Sequence, residues 1–342
     1  MSTRERGDQV SVGDSLAEFN YISAVREAIR YSLATRPEVI VYGEDVGRPG
    51  GIFGATKGLQ AEFGDRVFDT PISESAILGS AIGAAMVGMR PIVEIMWVEF
   101  LMVAFDQLVN QASNIRYVSR GEVTAPITVR TQQGVLPGAC AQHAQNLEAL
   151  VAHIPGLRVG LPSNPQDAYT MLLQGVASDD PVVVIENRSL YFGASAQVNL
   201  IPPTQPLGGA EIVRSGSDLT IVAWSAQVRV ALAAAEQLGR AGVKAEVIDL
   251  RWLNPLDMAT ILESVTKTSN LIILQEANTT GGFGAEVAAR VADEGLSLLD
   301  GPIRRIGLPD TRIPAAPTLQ QAVLPNAELV VSVASDLLDL SA

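Results

Sequence analysis

The chain is short of the residues that several common chemistries require. It has one cysteine, Cys140, in 342 residues, which excludes a disulfide framework and points to a reducing compartment. It has two histidines, His143 and His153. Cys140 and His143 stand at C-x-x-H spacing, but no further ligands accompany them, so a zinc site is not expected. Basic residues number 24 against 37 acidic ones, a net charge of −13. No basic stripe is present to neutralise phosphates, which excludes a nucleic-acid binder. No apolar run approaches the ~20 residues needed to cross a bilayer. The polar stretch from Met1 to Asn20 has no apolar signal core. The expectation is a cytoplasmic protein with neither a membrane nor a nucleic-acid partner. Three motifs are also missing: a G-x-S-x-G elbow, a Walker loop, and a G-x-G-x-x-G turn after a strand.

What is present is apolar and patterned. Hydrophobic residues make up 47% of the chain and charged ones 18%, enough to fill a large core in about two domains at ~150 residues each. Apolar spacing predicts a helix over Tyr21–Thr35, a strand at Val39–Tyr42, a helix near Thr56–Phe63 and a strand at Val67–Phe68. A strand at Pro91–Met96 and a long amphipathic helix over Glu99–Val118 follow. Strands at Ile127–Arg130, Leu157–Gly160 and Val182–Ile185 surround a helix over Pro165–Ala177. This alternation implies an α/β layer with a mostly parallel sheet. Asn199–Gly209 carries three prolines and two glycines in eleven residues and reads as a linker. Beyond it, strands at Leu219–Trp224, Ala245–Leu250 and Leu271–Gln275 alternate with helices over Val228–Gly239, from Ile261 and over Gly284–Ala292. The expected organisation is a flexible tail over residues 1–16, a first domain over 17–198, the linker over 199–209 and a smaller α/β domain over 210–342.

The stretch from Phe68 to Gly88 organises the rest. Asp69-Thr70-Pro71 closes a strand, Ile72-Ser73-Glu74 follows, and then comes a helix of Ala, Gly, Ser and aliphatics. Glu74 is the only charge between Asp69 and Arg90. A carboxylate there is costly to desolvate unless something binds it, which marks it as a working acid. Alternatively it sits in the first helical turn, with Ser73 or Thr70 as the cap and the helix dipole as its partner. Gly79 and Gly83 let another backbone approach, either in the core or between subunits. His143 follows the glycine-bearing loop Gly134–Gly138, where ligands sit in open α/β sheets; the other reading is a capping residue. His153 precedes Pro155-Gly156 and reads as a helix cap. Gly281-Gly282-Phe283-Gly284 opens a helix after a strand and serves either an anion or tight packing.

Several motifs then occur in a fixed order. They are Gly43-Glu44-Asp45-Val46, Gly50-Gly51-Ile52-Phe53, Asp69-Thr70-Pro71-Ile72-Ser73-Glu74, Gly88-Met89-Arg90-Pro91, Phe105-Asp106-Gln107, Ala141-Gln142-His143 and Pro155-Gly156-Leu157. Val247-Ile248-Asp249-Leu250-Arg251, Asn254-Pro255-Leu256-Asp257 and Gly281 to Glu286 follow. Over residues 17–338 the chain resembles the β subunits of thiamine-diphosphate-dependent 2-oxo acid dehydrogenases of the pyruvate, branched-chain and acetoin types.

The resemblance implies a transketolase-like pyrimidine-binding domain, a transketolase C-terminal α/β domain and an α2β2 heterotetramer. The α subunit would hold the diphosphate and Mg2+ through a GDG…NN motif that this chain lacks. Glu74 would hydrogen-bond the aminopyrimidine of thiamine diphosphate, burial raising its pKa so that it shares a proton. Phe100 would stack on that ring. His143 would face the substrate and the lipoyl group of the dihydrolipoyl acyltransferase core. Glu44 and Asp106 match acidic positions near the subunit interface for which a proton relay has been proposed; Asp106 also reads as a helix-interior ion-pair member. Val103 stands where some relatives carry a polar side chain, and the loop Ala177-Ser178-Asp179-Asp180 departs from the potassium-binding pattern, leaving K+ open. Ser75 and the stretch His153–Leu157 look closer to acetoin and bacterial pyruvate types. The substrate would be a small 2-oxo acid or acetoin, and a non-catalytic assembly scaffold is a third reading.

Overall fold

The computed structural model describes residues 16–339. The tail expected over residues 1–16 lies outside them except for Leu16. The first half of the chain runs β1 (Leu16–Phe19), α1 (Tyr21–Thr35), β2 (Val39–Gly43), α2 (Leu59–Phe63), β3 (Val67–Asp69), α3 (Glu74–Met86), β4 (Arg90–Ile95), α4 (Val98–Leu101), α5 (Ile115–Val118), β5 (Thr128–Gln133), α6 (Glu148–Ala152), β6 (Arg158–Gly160), α7 (Pro165–Ala177), β7 (Val182–Asn187) and β8 (Ala196–Asn199). The second half runs β9 (Glu211–Arg214), β10 (Leu219–Ala223), α8 (Gln227–Arg240), β11 (Ala245–Asp249), β12 (Trp252–Asn254), α9 (Met258–Thr268), β13 (Leu271–Asn278), α10 (Gly284–Gly295), β14 (Arg304–Leu308), α11 (Pro317–Val323) and α12 (Ala327–Leu337).

Seven strands form one sheet in the order β12-β6-β7-β5-β4-β2-β3. All neighbours are parallel except β12, which runs antiparallel to β6. Five strands form a second sheet, β14-β13-β10-β11-β9, in which only β9 is antiparallel. β5 and β7 are buried along their whole length, as a parallel sheet covered on both faces requires. The two sheets are joined in two ways. β12 belongs to the second half of the chain yet pairs with the first sheet. One apolar cluster also runs through both, from Leu78, Val93 and Val129 to Val222, Ile248 and Val287.

Local chemistry explains the helix ends. The Asn20 side chain accepts from Ser23 N and starts α1; Asn164 accepts from Asp167 N, with Pro165 next, and starts α7. The helix expected near Thr56–Phe63 is shorter, because Gly58 holds a left-handed conformation (φ 85°) just before Leu59. The long helix expected over Glu99–Val118 is broken. α4 gives way to a 3₁₀ turn (Met102–Ala104), a π-helical segment (Gln107–Ala112) and then α5. Ser113 Oγ and Asn114 Nδ2 donate to the Val109 carbonyl at 2.6 and 3.1 Å, competing with backbone donors for it. Along this run Ala104, Leu108 and Ala112 are buried, Phe100 is half-buried, and Val103 is exposed.

A buried ion cluster ties the middle of the first sheet. Arg130 on β5 donates to Glu94 on β4 (2.6 Å) and twice to Glu186 on β7 (2.7 and 2.9 Å), and Tyr191 Oη donates to Glu186 (2.6 Å). Burial opposes the Arg130 charge, but Glu186 and Glu94 outweigh it and hold the guanidinium above its usual range. No helix among the described residues is long and apolar enough to cross a membrane.

Candidate active site

The chain goes from β2 outward to β3 and then returns to β4 on the other side of β2. That reversal opens a crevice beyond the carboxyl ends of β2 and β4, the position where ligands bind in such sheets. Glu44 leaves β2 there, Glu74 follows β3, and Trp97 and Phe100 follow β4. Gly43 is needed at the end of β2 because a Cβ would collide with the Glu94 carbonyl.

Glu74 opens α3 and is half-buried. Ser73 holds the cap position but its side chain makes no capping bond, and Thr70 Oγ1 is buried without a partner. Neither residue therefore gives the side-chain cap that the alternative reading invokes. Among the described residues no side chain pairs with the Glu74 carboxylate. Glu44 is half-buried beside it, and its pKa is raised by burial first, then by the carboxylates of Asp45 and Glu74. The two candidate acids thus share one electrostatic neighbourhood. On α3, Leu78, Ala81, Ile82 and Ala85 face the core, while Gly83, Met86 and, just past the helix, Val87 are open to solvent. Gly79 faces Gln107 of the π-helical segment, and nothing lies within 4 Å of where a Gly83 Cβ would stand.

The opposite wall is aromatic. Trp97 adopts a left-handed backbone (φ 61°) that no glycine relieves, and it stacks on His143 with ring centroids 4.8 Å apart at 25°. Phe100 meets His143 edge-on at 5.5 Å and Trp97 at 6.2 Å. Strain of this kind persists where surrounding structure over-determines it. Ser75 Oγ donates to the Val103 carbonyl at 2.8 Å, linking the first turn of α3 to the segment that carries Phe100. His143 lies in a loop five residues before α6 begins, so it does not cap that helix. His153 does sit at the end of α6, with its N–H on the Ala149 carbonyl. Gln275 Oε1 accepts from Gly284 N at 2.8 Å, which favours packing as the role of the Gly281–Gly284 turn. Asp106 is exposed, and Asn110 and Gln107 occupy its two oxygens at 2.7 and 3.0 Å. Its partners are thus local amides, where an ion pair was the alternative.

Sequence reasoning missed Trp97 and Arg188. The guanidinium of Arg188 lies over the Trp97 ring, 5.9 Å from its centroid. Both residues follow the carboxyl ends of parallel strands, where an aromatic or a charge after an apolar run was the available signal.

Comparison with known proteins agrees with this architecture. The pyrimidine-binding domain of transketolase matches residues 17–193, and the transketolase C-terminal domain matches residues 208–330. The β subunit of acetoin:2,6-dichlorophenolindophenol oxidoreductase from Bacillus subtilis is 43% identical, over 92% of this chain and 96% of that one. Its counterpart from Cupriavidus necator is 41% identical, over 91% and 95%. The pyruvate dehydrogenase E1 component subunit β from Bacillus subtilis is 40% identical, over 95% and 100%. A solved structure described as a split-gene transketolase, an inactive β4 tetramer, superposes with a TM-score of 0.76 at 22% identity, covering 95% of this chain and all of that one; it shares the fold. The chain belongs to the transketolase-like family of β subunits that includes those of pyruvate dehydrogenase E1 and acetoin:2,6-dichlorophenolindophenol oxidoreductase.

Proposed function

We propose that this chain is the β subunit of an α2β2 thiamine-diphosphate-dependent 2-oxo acid dehydrogenase, which decarboxylates pyruvate or a branched-chain 2-oxo acid and acylates lipoyl groups. The observation that carries the reading is a half-buried, unpaired Glu74 carboxylate at the crevice of the first sheet, with Phe100 and His143 gathered on one indole. These residues fit the aminopyrimidine half of the cofactor, which needs a proton-sharing acid and an apolar face. When bound, thiamine diphosphate supplies the electron sink for loss of carbon dioxide. Glu74 holds a proton between its carboxyl oxygen and a ring nitrogen. Phe100 orients the ring by stacking. His143, backed by Trp97, faces the substrate and the incoming lipoyl group. Glu44 adds negative charge beside Glu74, and Asp106 is a relay candidate from its exposed position.

Activity in this reading requires an α subunit, which holds the diphosphate and Mg2+. Exposed apolar residues at both ends of α3 support such a partner: Ile72 and Val103 near Glu74 are exposed at 73 and 57%, and Met86 and Val87 at the far end at 47 and 81%, and exposed apolar surface marks an interaction site. The lipoyl-bearing acyltransferase core is the second partner, and the compartment is the cytoplasm. Potassium does not fit the loop Ala177–Asp180. Asp179 pairs with Arg90, Asp180 pairs with Arg116 and Arg158, and the Ser178 carbonyl accepts from Arg90. Guanidinium groups already occupy these oxygens.

The acetoin reading keeps the same cofactor and site, and the 41 and 43% identities to acetoin-type subunits favour it as strongly as the 40% identity to the pyruvate type favours the first. Turnover of pyruvate, a branched-chain 2-oxo acid and acetoin by the reconstituted α2β2 enzyme separates the two. Glu74→Ala should lower turnover at least ~10²-fold. Undiminished activity in that variant would return the chain to a scaffold role.

A further inference from the structure

We infer that Arg188 is the positioning residue of the His143–Trp97 wall, and that Glu276 from the second sheet braces it. The catalytic consequence of this inference rests on the function proposed above; its structural content does not.

Arg188 opens a 3₁₀ turn directly after β7, fixed by Asn187, whose Oδ1 accepts from Ser189 N and Oγ at 3.0 and 2.8 Å. It is 3% exposed. Its Nη2 donates to the carbonyls of Gly134 and His143. The same guanidinium faces the Trp97 ring, and the other neighbour of that ring is the His143 imidazole. One side chain therefore grips the backbone of His143 and the aromatic partner of its ring. Both bonds come from one nitrogen, which an ammonium could also supply, but the planar guanidinium in addition lies over the indole face. Burial lowers the proton affinity of Arg188, and the carboxylates of Glu99 and Glu276 oppose that effect, so the cation persists without a direct ion pair.

The brace comes from the other sheet. Glu276, at the end of β13, accepts from Val135 N at 2.9 Å and from Asn187 Nδ2 at 2.8 Å. Val135 adjoins Gly134, whose carbonyl Arg188 holds, and Asn187 adjoins Arg188 itself. Gly134 (φ 92°) has no room for a Cβ, which would meet the Asn187 side chain, so the three segments close on one another. The second half of the chain thereby sets the position of a site residue in the first half without touching it.

The test uses the full chain assembled with its α subunit. With two histidines in the sequence, a His153→Gln variant leaves His143 as this chain's own ring signal in a ¹³C-histidine spectrum with selective labelling of this subunit. Stacking on Trp97 should shift the His143 ring protons upfield. Arg188→Gln should abolish that shift, Arg188→Lys should keep part of it, and Glu276→Gln should reduce it less. In the same assemblies kcat for lipoyl acylation should fall about 10²-fold in Arg188→Gln, the scale of a ~1 Å misplacement, and less in Arg188→Lys. An unmoved His143 signal in both Arg188 variants overturns the positioning role, as does a lower melting temperature with unchanged ring shift and kcat. Wild-type assemblies that show no thiamine-dependent turnover would instead sink the proposed function, and the ring shift would still decide the role of Arg188.

Discussion

Both sheets reverse their strand order, the first between β2 and β4 and the second between β10 and β13, yet the two crevices are occupied differently. At the first, Glu44 and Glu74 are half-buried, and the aromatic wall of Trp97, Phe100 and His143 remains partly open. At the second, the protein fills the space itself. Trp224 follows β10, is 1% exposed, donates to Glu148 at 3.2 Å and meets Phe283 edge-on at 6.1 Å. Gln275 and Glu276 on β13 are consumed by Gly284 N, Val135 N and Asn187 Nδ2. Asp45 and Ser225 even share a left-handed backbone, each two residues past the strand at which its sheet reverses. Topology thus gives both sheets a place for a ligand, and side-chain pairing decides which one keeps it. The filled crevice does a different job, joining the two sheets.

Truncating one ring at each crevice distinguishes the two. Trp224→Ala at the filled crevice should cost about 3–5 kcal/mol in urea unfolding. Phe100→Ala at the open one should cost roughly half that or less, because the ring is only half-buried, while weakening cofactor binding. Equal losses would mean that the first crevice is as much core as the second.

Next in size is a pH effect at the joint. Asp249 at the end of β11 accepts from Ser163 Oγ of the first half at 2.5 Å and from Arg251 N at 3.0 Å. Burial, and then the Asp167 carboxylate, raise its pKa from an ordinary 3.8 to about 7. The folded state therefore holds this proton more tightly than the unfolded chain. Its contribution is complete below the unfolded value and is lost as pH rises through about 7, at a slope on the order of 1 kcal/mol per pH unit. The melting temperature should fall between pH 5 and 7 (~2 units of this window), and Asp249→Asn should flatten that fall. An unchanged slope in the variant would remove the joint from the account.

Glu276→Ala should cost about 2 kcal/mol by leaving buried donors at Val135 and Asn187 unpaired, again read by urea unfolding. A neutral result would show that the brace contributes nothing to stability. The smallest effect separates lone chain from assembly. Gly83→Ala on the open face of α3 should stabilise the lone chain by about 0.5–1 kcal/mol, yet weaken association with the α subunit if that face is covered, as sedimentation would show. Tighter association would place the partner elsewhere.

Much of this was legible in the sequence, for local reasons. α1 and α7 begin where Asn20, Asn164 and Pro165 announce them, and Glu74 was exposed to notice by its isolation in an apolar stretch. The broken run after Trp97 was not legible, because the competition of Ser113 and Asn114 for the Val109 carbonyl depends on where that backbone is held. Nor were Trp97 and Arg188: their roles come from rings and carbonyls 45 or more positions away that only the folded sheet assembles. The burial expected of Glu74 is half realised in the chain alone, as a site shared with a partner would require.

In the proposed function this chain supplies the aminopyrimidine half of a split cofactor site, with Glu74 as its acid. Calorimetric titration of thiamine diphosphate with Mg2+ tests it most directly, into the co-purified α and β chains, into this chain alone, and into the mixture carrying Glu74→Ala. The expected result is tight binding by the mixture, none by the lone chain, and loss of turnover in the variant mixture. Tight binding by the lone chain would contradict it, because the diphosphate site would then lie within this chain.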